Sequence, residues 1–196
     1  MGRVKSAMEL ALEKAGKIGE LSREEKEELE GQEKITSILR ECYLGELDSN
    51  GLWQRLKGSE PSLLKMAQMN LIGTLWLGGL EEEFQLRREA VVAIETLKER
   101  PNTAMIELNL NSIASLQKEY QGMKKKVTED LRRQIEMHPQ LRMQPLKTPD
   151  GKTVMQMNVS VDEAVKARLV EYLSSHEEKY NREFLRLIEE LKMQIH

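Results

Sequence analysis

Hydrophobic residues in this chain fall mostly on narrow stripes at helical spacing, and one stretch departs from that pattern. From Pro61 to Leu80 the sequence PSLLKMAQMNLIGTLWLGGL is apolar nearly all round. Its few polar residues, Lys65, Gln68, Asn70, Gly73 and Thr74, scatter around a wheel turned by about 100° per residue. A helix of that kind is buried, so the pattern predicts a central helix over 61–78 that other helices cover. Pro61 suits its first turn, Ser59 is placed to cap it, and Gly78-Gly79 stops it.

The covering stripes lie on either side. Val4, Ala7, Met8, Ala11, Leu12 and Ala15 predict a first helix over 3–15. Ser22 and Glu25 have capping-box spacing and open a helix to about Tyr43, charged at first and then burying Ile35, Ile38, Leu39 and Cys42. The run Asp48–Gly51 marks a turn, after which GLWQRLKG adds a short helix with Trp53 and Leu56 facing inward. Beyond the central helix, Glu81, Glu82 and Glu83 load the first turn of another, with Leu86, Ala90, Ala93, Ile94 and Leu97 on its stripe. Pro101 closes it.

From Thr103 to about Met137 there is no proline, and Ile106, Ile113, Tyr120 and Val127 recur every seven residues. Such coiled-coil-like spacing predicts a helix about 50 Å long that needs a partner helix along its stripe. Residues 139–160 then hold three prolines and a Pro-Asp-Gly turn, followed by alternating Met155, Met157 and Val159. This is a β-hairpin signal, with Leu141 and Met143 as the matching face and Pro145 at an edge. Ser160 and Glu163 form a further capping box, and Val165, Leu169, Leu173, His176, Tyr180, Phe184, Leu187, Ile188 and Leu191 stripe a last helix. Two long helices joined in this way pair antiparallel. The expected organisation is a helical bundle over 1–101 built around the helix at 61–78, then a long helix, a β-hairpin at about 140–160 and a long helix over 102–196.

Composition agrees with an all-α fold: 32% of residues are charged and only 4% aromatic. The net charge of −3 implies no electrostatic partner. A single cysteine, Cys42, excludes an internal disulfide framework and a multi-cysteine zinc site, and its place on an apolar stripe predicts a buried thiol. The first residues lack the apolar core of a signal peptide, and Lys65, Gln68 and Asn70 argue against a membrane span at 61–80. A cytoplasmic protein is expected.

Chemistry is sparse. No phosphate loop, dinucleotide fingerprint or hydrolase elbow occurs, and His176 begins HEEKY, which lacks the second histidine of H-E-x-x-H. Glu-x-x-His spacing is also missing, so no metal, cofactor or catalytic residue is implied, and His176 is expected on the apolar seam beside a carboxylate. The one basic concentration is Lys118, Lys124, Lys125, Lys126, Arg132 and Arg133, a candidate anion or nucleic-acid contact diluted by Glu119, Glu129, Asp130 and Glu136.

Near the start, Lys5, Ser6, Ala7, Glu9, Leu10, Ala11, Leu12 and Glu13 resemble the opening of an uncharacterised family of small bacterial proteins of unknown function. That resemblance implies a bacterial cytosolic protein and brings no activity. The order long helix, β-hairpin, long helix is similar in layout to prefoldin subunits, an architectural analogy.

The expectation is a non-enzymatic interaction or scaffold/chaperone-like protein that self-associates through its long helices and β-hairpin. Met143, Met155, Met157 and Val159 are the expected self-association residues, with further copies of the chain and protein clients as partners. A nucleic-acid-associated factor using the 118–133 face and a helical-bundle small-ligand binder or enzyme are the alternatives.

Overall fold

The computed structural model describes residues 23–147, 150, 153–157 and 159–195, with the two strands described by their backbone. The predicted helix over 3–15, Ser22 of the predicted capping box and the resemblance at residues 5–13 lie outside that set.

The protein is predominantly helical. α1 (Arg23–Tyr43) buries Ile35, Ile38, Leu39 and Cys42, while Lys26, Glu28, Leu29 and Glu30 are exposed. It ends where Gly45 takes φ +73°, the left-handed conformation that glycine tolerates without a Cβ clash. α2 (Ser49–Leu56) is capped by Asp48, whose Oδ1 accepts the Gly51 N–H at 2.7 Å. Leu52 and Leu56 are its buried residues. Trp53 is half-buried and donates from Nε1 to Thr96 Oγ1, 3.1 Å away.

The central helix, α3 (Pro61–Gly73), is shorter than its apolar run. Glu60, not Ser59, is the N-cap, with no side-chain cap bond. The helix stops at Gly73 because Thr74 folds back, its Oγ1 donating to Leu71 O at 2.7 Å while accepting from Arg87 Nε at 3.0 Å. Residues 75–80 therefore form a turn. Leu77 is buried, whereas Trp76 and Leu80 are 56% and 64% exposed. The wheel is also less uniform than expected: Lys65 and Asn70 face solvent, and Gln68 is fully buried.

α4 (Glu81–Glu95) buries Phe84, Ala90, Val91 and Ile94, with Leu86 and Leu97 only partly covered. Its last residue, Glu95, is 1% exposed. One carboxylate oxygen accepts from the Asn102 backbone N–H at 2.8 Å; the other faces Gln68 Nε2 at 2.9 Å and Lys98 Nζ at 2.7 Å. Gln68 Nε2 also donates to Val91 O at 3.0 Å, so two acceptors fix the orientation of its amide. α3, α4 and the entry to the next helix are thereby tied at one buried point.

α5 (Thr103–Met137) and α6 (Val161–Met193) are the two long helices. They pair antiparallel: Tyr120 meets Glu177, and Arg132 meets Asp162. Ser160 and Glu163 complete both bonds of a capping box at the start of α6. Between the helices, Pro139–Arg142 makes a 3-10 turn that contains Leu141, which is therefore not in a strand. β1 (Met143–Lys147) and β2 (Thr153–Met157) pair antiparallel, Met143 opposite Met157 and Pro145 opposite Met155.

The main core runs without a break across residue 101. It joins Ile35, Leu56, Leu71 and Ile94 to Ile106, Leu110 and Ile113 of α5 and to Phe184, Leu187 and Leu191 of α6. A second, small cluster of Ile135, Ala164 and Val165, flanked by Leu131, Leu141, Val159 and Val161, closes the far end of the helix pair. His176, expected on the seam, is exposed: its Nδ1 lies 2.9 Å from Tyr172 O, and its ring stacks on Tyr172 with centroids 4.0 Å apart. Glu177 takes the seam position instead. No helix among the described residues is long and apolar enough to cross a membrane.

Candidate functional site

The turn at 75–80 and the first turns of α4 lie against the middle of α5 and leave a groove of about 730 Å³ between them. Two glutamines set its geometry. Gln117 Nε2 donates to Trp76 O at 2.7 Å, and one helical turn further Gln121 Nε2 donates to Gly78 O at 3.2 Å. Within the turn, a Cβ at position 79 would come to 3.2 Å from Trp76 O, tighter than most such contacts, which suits Gly79 there. The turn is thus clamped to α5 by side chains that read as solvated polar residues in the sequence.

Phe84 and Ala114 supply apolar floor, Leu80 forms an exposed lip, and Lys118 and Lys125 stand on the α5 side. Between the lysines lies Gly122, with nothing within 4 Å of the place a Cβ would occupy. Residues 118, 122 and 125 share one side of α5, so the two cations flank a notch. Glu81 lines the opposite wall. Neither lysine nor Glu81 makes an ion pair among the described residues. Mostly apolar walls with a few convergent charges and a volume in this range are the usual make-up of a binding cleft.

The predicted site residues separate accordingly. Lys118 and Lys125 meet in the groove, while Lys124, Lys125 and Lys126 step around α5 by about 100° each and point in three directions. Arg132 pairs with Asp162 at 2.6 Å, and Arg133 lies 3.9 Å from Asp130. Met143 is 38% exposed at the start of β1. Met155 and Met157 fall in β2, and Val159 packs partly against the small cluster. Cys42 is 1% exposed, and burial pushes its thiol above the ordinary value, with Arg87 opposing and Asp48 adding to the shift.

Sequence reasoning missed the seam pair. Tyr120, 3% exposed, donates to Glu177 Oε1 at 2.6 Å, and Tyr180 donates to Glu119 Oε1 at 3.4 Å across the same two helices. The two rings meet edge to face with centroids 5.5 Å apart. Burial, then the bond to Glu177, pushes the Tyr120 hydroxyl up to about 12, so it remains a donor at neutral pH. Among the described residues no three His, Cys, Asp or Glu side chains are grouped as a metal site requires. No protein-family profile matches the chain, and no curated protein or solved structure matches it either.

Proposed function

We propose that this is a non-enzymatic interaction protein that self-associates through the far half of its long helix pair and the β1–β2 hairpin. One observation carries the reading. Beyond Met123 and Leu173 the pair leaves the main core, is closed by the small cluster around Ile135, and ends in a two-stranded sheet. Both outer edges of that sheet are open among the described residues, and open edges are templates for another strand. Exposed Met137 and Met143 flank the turn that leads into it.

Native mass spectrometry and light scattering test this. The full chain forms a defined oligomer at micromolar concentration, and a variant with residues 143–157 replaced by a Gly-Ser linker is monomeric and still helical. A full chain that stays monomeric up to about 100 μM, where even weak specific interfaces are populated, overturns the proposal.

A further inference from the structure

The groove between the 75–80 turn and α5 is separate from the hairpin and calls for its own partner. Its floor is apolar, its two lysines make no ion pair among the described residues, and Leu80 on its rim is 64% exposed. Apolar surface left open on a turn whose backbone two glutamines hold in place is the kind of patch that a partner covers. We infer that the groove docks an amphipathic helix of a partner protein, carrying carboxylates along the flank that faces α5.

The charge pattern selects that occupant. Lys118 and Lys125 are seven residues apart, so their stems are separated by about 10 Å along α5. A helix lying alongside α5 presents acidic residues at the same i, i+7 interval, and no flexible ligand is needed to span the gap. Gly122, midway between the lysines, leaves room for the partner's apolar stripe to approach the α5 backbone. Glu81 on the other wall favours a basic residue on the partner's opposite flank. The docked helix then packs against α5 and Phe84 as a third strand of helical packing, with the charges fixing its direction.

Fluorescence anisotropy of the full-length protein with designed labelled peptides tests the assignment. The probe is about 18 residues long, enough to sustain a helix, with leucines on one stripe, glutamates at i and i+7 on one flank and lysines on the other. Binding on the order of micromolar is expected, weakening as salt rises. The double variant Lys118→Glu/Lys125→Glu loses at least about tenfold in affinity and recovers it with a peptide whose flanking charges are exchanged. Gly122→Leu, which fills the notch and has open space around it, abolishes binding of both peptides while circular dichroism stays helical. Equal affinity of one peptide for the wild type and the double variant, or no binding by any peptide at about 100 μM, overturns the inference. So does a wild-type oligomer that the double variant dissociates, since the occupant would then be a second copy. Loss of oligomerisation on removing 143–157 leaves the groove untouched, so the two proposals fail separately.

Discussion

At the scale of single residues, stability is concentrated where polar groups are buried and paired. Glu95 is the clearest case. Burial disfavours its charge, but the Asn102 N–H, Lys98 and Gln68 outweigh that cost and hold the carboxyl below its usual range. Removing one member of such a buried pair strands the other, so Glu95→Ala is expected to cost about 3–5 kcal/mol in urea unfolding. A depressed folded pKa means this stability is complete above the unfolded value, about 4.3, and is lost as pH falls through the lower folded value. Glu95→Gln should remove that part of the acid-side slope, measured as the urea midpoint against pH. Tyr120 behaves in the opposite sense. Its raised pKa means its contribution is whole below about 10 and declines as pH rises through the folded value, about 12. Ultraviolet titration should show Tyr120 ionising late beside the also raised Tyr43 and Tyr180, and Tyr120→Phe should delete one late step together with about 1–2 kcal/mol of stability. None of these partners was legible beforehand. Gln68, Glu95 and Gln117 are polar letters in amphipathic segments, and a helical wheel assigns such letters to solvent. Gln68 finds its partners 23 and 27 positions away, and Gln117 finds its partner 41 positions away.

Single elements were readable where one signal dominated. α5 follows from an unbroken apolar stripe without proline between Thr103 and Met137, and α6 starts at a capping box whose reciprocal bonds are formed. Ser160→Ala should therefore cost about 1 kcal/mol, with faster hydrogen exchange in the first turn of α6. Gly122→Ala should stabilise α5 by about 0.5–1 kcal/mol, because the position is mid-helix and open, and circular dichroism melts will report it. The end of α3 was unreadable for a definable reason. Leu75, Trp76 and Leu77 prolong the apolar run, but the Thr74 hydroxyl and Arg87 close the helix in front of them. That error concealed the candidate site as well. Lys118 and Lys125 were visible as a basic concentration, but the wall that makes them part of a groove is the very turn that hydrophobicity assigned to the helix.

Across the whole molecule, two unequal clusters share the same pair of helices. Their dividing line falls one turn past the Tyr120–Glu177 contact, after Met123 and Leu173; on one side α5 and α6 help to enclose the main core, and on the other they cover mainly each other. A small cluster supports little free energy of its own, so the chain should not open as one cooperative unit. Amides of 127–137 and 161–172 should exchange through a partial opening that leaves those of 106–117 and 184–191 protected. Limited proteolysis should nick the former region first, before any loss of the global unfolding transition. The tyrosine contact then acts as a firebreak: a partner can pull the far end apart, or a protease can fray it, and the damage stops there.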